Sequence, residues 1–108
     1  MVKLNKEVLE MAEKELERAN EKFPQFRSRH EALGVLAEEL WEVGLEVEDA
    51  KISYELIKRG VFSDIDTDTL MLHVDRMERV LALGVAEAIQ SIAMLKKFKC
   101  YLDNEEDD

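Results

Sequence analysis

Two short stretches of the chain combine residue types that could do chemistry. The first, Glu38-Glu39-Leu40-Trp41-Glu42, sets three carboxylates in an EExxE pattern. The second is Glu87, followed three residues later by Gln90, within the run VLALGVAEAIQSIAML from Val80 to Leu95, where Ser91 is the one other polar side chain. On a helix, residues three and four apart share a face. Glu39, Glu42 and Glu46 then project along one strip, Glu38 lies further around, and Glu87 and Gln90 emerge one turn apart. A carboxylate inside an apolar helix needs a cation, a strong donor or a proton, because an unpaired buried charge is expensive. If the two helices pack antiparallel, Glu39, Glu42, Glu87 and Gln90 can converge on a hard divalent cation such as Mg²⁺. That ion prefers oxygen ligands and keeps positions for water and substrate oxygens. The plainer alternative is a solvated glutamate face, with Glu87 as half of a buried ion pair.

The elements that must position these residues are helices. The chain has 108 residues, 46% apolar and 37% charged, with only four Gly and one Pro. Ala, Glu, Lys, Leu and Arg supply about half of it, the composition of long amphipathic helices. A sheet-rich fold needs more turn residues and a disordered chain fewer aliphatic ones, so the expected class is all-α. In the first segment, Val2 to Lys22, Leu4, Val8, Met11 or Ala12, Leu16 and Ala19 recur at helical spacing. It should break near Phe23-Pro24. Ser28, with Glu31 three residues on, forms a capping-box pattern that opens a second helix. That helix is expected to reach about Asp49 and to continue, bent or broken, towards Gly60. Residues 60–68 read as a loop in which Asp64, Asp66, Thr67 and Asp68 can cap the next helix. This last helix is expected from Thr69 to Leu102, giving one domain over 1–102 and a frayed acidic tail over 103–108. Leu33, Leu36, Leu40, Val43 and Val47 form one stripe while Trp41 and Leu45 point elsewhere, so the second helix should be covered on two sides. So small a chain cannot cover them alone, and a homodimer or homotetramer is expected.

The formal charge of -10 disfavours nucleic acid as a partner. Cys100 has no partner for an intrachain disulfide. The charged first residues do not form a secretory signal, and no run nears the roughly 20 apolar residues that span a bilayer, so no membrane partner is expected and the location is read as cytoplasmic. No GxxxxGK[ST], GxGxxG or CxxC occurs, and no Glu stands three residues before His30 or His73, which removes P-loop, Rossmann, thiol-redox and ferritin-like di-iron signatures.

The stretch from Ser28 to Glu42, SRHEALGVLAEELWE, together with Glu87-Ala88-Ile89-Gln90-Ser91-Ile92-Ala93-Met94, resembles the MazG-like all-α nucleoside triphosphate pyrophosphohydrolases, most closely the short bacterial and phage proteins. The resemblance covers roughly residues 26 to 98. It implies a helical bundle of three to four helices, completed by oligomerisation, that uses Mg²⁺, with Mn²⁺ as a substitute. It also implies an activity: cleavage of an NTP or dNTP to the monophosphate and pyrophosphate. Carried over by position, it makes Glu39, Glu42 and Glu87 metal ligands and gives Glu38 an assisting catalytic role. This chain departs from the family pattern at Gln90, which stands where an Asp is usual and so removes one negative charge from the ligand set. The 45 residues from Glu42 to Glu87 are also long for the pattern, placing an insertion around Ile52 to Met77. Arg76, Arg79 and Lys97 are candidate phosphate contacts, and Asp75 and Glu78 are alternative acids. Trp41 or Tyr54 can stack on a base, although Trp41 is read first as a subunit-interface anchor. The rival reading is a non-catalytic helical interaction protein with a degenerate metal site.

Overall fold

A computed structural model describes residues 2–22 and 25–107, and among them it contains three helices and no strand. Helix α1 spans Val2–Lys22, α2 Arg29–Phe62 and α3 Thr67–Asp107. The expected break at Phe23-Pro24 lies outside the described residues. The all-α expectation holds, and none of the described helices is long and apolar enough to cross a membrane.

Helix α2 begins as its sequence dictates. The Glu31 amide donates to Ser28 Oγ at 3.0 Å, and the Glu31 carboxylate reaches back to accept from the Arg27 amide at 3.4 Å, satisfying donors that a helix start leaves orphaned. The helix then runs unbroken for 34 residues, past Asp49. Its least exposed positions explain why: Ala32, Leu36, Glu39, Val43, Glu46, Ala50, Ser53, Ile57 and Gly60 succeed one another at steps of three and four. A continuous inward row gives the helix no reason to stop at Asp49. The row differs from the predicted stripe, since Leu33, Leu40 and Val47 are exposed while small residues and two glutamates turn inward.

The contacts group the chain into two compact units, Met1–Leu40 with Glu87–Asp108, and Trp41–Ala86. In the first unit, α1 packs with the start of α2 and the end of α3. Ala12, Leu16, Phe26, Ala32 and Ala93 form its buried apolar centre. The Phe26 ring meets Phe98 edge-on at 6.4 Å, and Phe98 stacks on Tyr101 at 6.3 Å, contacts worth about 0.5–1.5 kcal/mol each beyond the area they bury. Lys96 pairs with Glu13 at 3.1 Å, and Arg29 holds Glu105 through two hydrogen bonds of 2.6 and 3.2 Å. That second pairing accompanies an α3 that continues through Asp107, past the predicted end at Leu102.

The second unit is a helical hairpin whose connection is shorter than predicted, because α2 continues to Phe62 and α3 starts at Thr67. Asp64 adopts a left-handed conformation (φ 52°), and the Ile65 amide donates back to the Gly60 carbonyl at 3.1 Å, closing the end of α2. Asp66 then caps α3, accepting from the Thr69 amide at 2.9 Å and the Thr69 hydroxyl at 2.7 Å. Gly60 lets the turn pack closely: a Cβ at that position would stand 2.5 Å from Ile65 Cδ1, so that side chain would have to shift. Ala50, Ser53 and Val80 are buried between the arms, and Arg76 reaches Asp49 at 3.6 Å.

Candidate functional site

The inward row of α2 brings Glu39 to the interior of the first unit, and a corresponding row on α3 brings Glu87 there. Both are half-buried, and each withdraws one carboxylate oxygen from solvent. Their ligand oxygens lie within 4.8 Å of one another, although the residues are 48 apart in sequence. Glu42, one turn beyond Glu39 on the same helix, is exposed and belongs to the second unit. Glu38 is exposed and stands outside the group, as its angular position predicts. Gln90 is exposed and, with Glu39 and Glu15, lines a cavity of about 190 Å³.

Two like charges held this close repel, and the cost of keeping both ionised grows as water is removed. A divalent cation between them converts repulsion into attraction. All the donors present are oxygens, which suits a hard ion such as Mg²⁺ rather than a softer metal seeking nitrogen or sulfur. Glu39 and Glu87 could hold such an ion, and Gln90 lines the same cavity as Glu39.

The three phosphate candidates separate. Lys97 belongs to the first unit and is buried, 7% exposed, with its ammonium 4.8 Å above the Phe26 ring. Burial pushes its pKa down, opposed by the charge of Glu31. It lines a cavity of about 950 Å³ whose wall also carries Lys22, Arg27 and Glu31. Arg76, engaged with Asp49, and Arg79, on a hollow with Asp75 and Glu78, belong to the second unit. Trp41 and Tyr54 are exposed in that unit too, and His30 is exposed in the first turn of α2.

Sequence reasoning missed Lys22, Arg27 and Glu15. The first two flank the break between α1 and α2, and two cations around a Phe-Pro break were the available signal. Glu15 gave none, because α1 carries glutamates on every exposed side. No family model matches the chain, and no curated protein or solved structure matches it significantly.

Proposed function

We propose that this chain is a Mg²⁺-dependent nucleotide pyrophosphohydrolase of the MazG-like kind, converting an NTP or dNTP to the monophosphate and pyrophosphate. The observation that carries the reading is the meeting of Glu39 and Glu87, two half-buried carboxylates from separate helices of one unit. Carboxylate oxygens gathered from two helices are the donor set that a hard divalent cation prefers.

Glu39 and Glu87 would hold the ion, with Gln90 as a weaker oxygen donor. Bound Mg²⁺ supplies charge neutralisation for the triphosphate and acidifies a water. Glu38, exposed on the helix position next to Glu39, would accept a proton from the attacking water, whose oxygen would form the new bond to phosphorus as the bond to the departing pyrophosphate breaks. Lys97 offsets phosphate charge from the first unit. The working form is a cytoplasmic homodimer or homotetramer in which a second copy completes a helical bundle. The exposed apolar side chains of the second unit, among them Trp41 at 66% and Phe62 at 81%, support this.

The same exposed side chains favour a second reading, a non-catalytic interaction protein that keeps the helices and not the activity. One experiment decides between them. Purified protein is incubated with Mg²⁺ and a panel of NTPs and dNTPs, and monophosphate plus pyrophosphate is the expected product. Absence of turnover, with a melting temperature that Mg²⁺ leaves unchanged, overturns the hydrolase. Glu87→Ala sharpens the choice. In the hydrolase it abolishes Mg²⁺ binding and raises the melting temperature of the metal-free protein by relieving repulsion; in a purely structural protein it strands a partner and lowers it.

A further inference from the structure

Charge is unevenly placed on this chain. Acidic residues outnumber basic ones by 25 to 15. The cavity of about 950 Å³ in the first unit reverses that balance, because its ionisable wall consists of Lys22, Arg27, Lys97 and Glu31, three cations to one carboxylate. Each cation comes from a different part of the unit: Lys22 from the last turn of α1, Arg27 from the approach to α2, and Lys97 from α3. Glu31 is tied into the start of α2, where its carboxylate accepts from the Arg27 amide at 3.4 Å.

Lys22 and Arg27 are exposed, and exposed cations alone would be ordinary surface. Lys97 is not ordinary surface. It is 7% exposed, and its ammonium stands 4.8 Å above the ring of Phe26, which lines the same cavity. Lysine is seldom buried so far, because desolvation works against its charge. An anion seated in the cavity offsets that cost, and the exposed cations on the wall add to its hold. Phosphoryl groups suit the arrangement best. They present oxygens in several directions and carry more charge than a carboxylate, and guanidinium and ammonium groups both bind them. The volume leaves room for more than one.

We infer that this cavity is a binding site for a diphosphate or longer phosphate chain, held by Lys97, Lys22 and Arg27 without need of a metal. Hydrolysis is not required for it. On the nucleotide reading above, the same cations receive the pyrophosphate end of the triphosphate, since the cavity shares Ala19 and Met94 with the one lined by Glu39 and Gln90.

Inorganic pyrophosphate is the probe, titrated calorimetrically into the full chain with EDTA present so that no divalent ion takes part. The wild type is expected to bind it. Lys97→Met keeps most of the side chain's length, removes its charge and should weaken binding at least about tenfold. Lys22→Gln and Arg27→Gln should each weaken it about two- to fivefold. Lys51→Gln, at an exposed lysine of the second unit, should change it by less than about twofold. No binding by the wild type, an unchanged affinity in Lys97→Met, or a loss at Lys51 equal to those at the cavity overturns the site. Should Lys97→Met fail to fold, the double variant Lys22→Gln/Arg27→Gln makes the test, and an unchanged affinity there overturns the site as well. Competition separates the two sources of such an anion. Displacement of pyrophosphate by the uncleavable α,β-methylene analogue of ATP assigns the site to a nucleotide's phosphates, whereas pyrophosphate that the analogue leaves in place assigns it to the free anion. The two readings fail separately. Nucleotide turnover in a protein that binds no pyrophosphate defeats the site and leaves the hydrolase standing. Pyrophosphate held through Lys97 by a protein that cleaves no nucleotide supports the site and defeats the hydrolase.

Discussion

The two units are built from the same two helices and divide the work differently. In the first unit a third helix, α1, lies against α2 and α3, and the interior it helps to enclose holds Glu39, Glu87 and Lys97 at partial or near-complete burial. In the second unit the hairpin has no third helix of its own. Ala50, Ser53, Gly60 and Val80 are its buried positions, while Ile52, Phe62, Leu72 and Leu83 stay exposed. The difference teaches where each kind of residue is useful. Ionisable groups change character where protein excludes water from several sides, so chemistry belongs in the three-helix unit. Large apolar side chains on a bare hairpin gain energy only when another surface covers them, which suits association.

The sharpest way to break this comparison uses two inward glutamates of α2 that differ in the unit they face. Glu39 lies beside Glu87 in the first unit, whereas Glu46 lies in the second, its Cβ 3.4 Å from where a Gly84 Cβ would stand. Glu39→Gln is expected to lower pyrophosphate release on the order of 100-fold or more, because it removes a charged ligand. Glu46→Gln should stay within about twofold of wild type, having no part in the reacting group. Steady-state rates together with Mg²⁺ titrations measure both. Equal losses, or a larger loss at Glu46, would mean that the acid site does not belong to the first unit.

Stability supplies the next test, through two glycines of the second unit. Gly60 sits against Ile65 and Leu70, and Gly60→Val forces branched carbons into that turn at a cost of about 1–3 kcal/mol. Nothing lies within 4 Å of where a Gly44 Cβ would stand, so Gly44→Ala should stabilise the helix by about 0.5–1 kcal/mol. Denaturant unfolding at several protein concentrations reads both effects. A Gly44→Ala variant that loses stability, and loses more as concentration rises, would show that a second copy needs close approach at that position.

Much of this is legible in the residues themselves. The Ser28 and Glu31 cap and the end of α1 at Lys22 come from spacing, whereas the meeting of Glu39 with Glu87 depends on how two helices pack, which spacing leaves open. The inward face of α2 is less legible, because its large aliphatic residues suggest a different one. Close helix contact selects small side chains instead, and Ala32, Ala50, Ser53 and Gly60 mark the true face. Glu39 and Glu46 belong to that same row, a fact that a stripe drawn through Leu33, Leu40 and Val47 conceals. The full length of α3 is hidden because an acidic tail looks frayed in sequence. Its register with Arg29, 76 residues away from Glu105, is a tertiary fact that no local pattern contains.

The smallest expected effect concerns the helix ends, and it again separates the units. Glu105 in the first unit is held below the usual carboxylate range by the Arg29 guanidinium that donates to it. Asp66 in the second is held low by the Thr69 hydroxyl and amide. A carboxyl whose folded pKa is depressed contributes fully above its unfolded value, and the contribution disappears as pH falls through the folded value. Both ends should therefore loosen on acidification below about pH 4, near ordinary carboxylate values, and stay unaffected at neutral pH. Each is exposed, so the losses are local and screened by salt. Amide exchange around residues 101–105 and 69–70, tracked through that pH range, resolves them separately. Glu105→Gln should remove the acid response at the first site and leave the second intact. Asp66→Asn, which retains a capping oxygen, should do the reverse. A single variant that abolished both responses would show that the two ends open as one cooperative unit, contrary to the independence that their separate contacts imply.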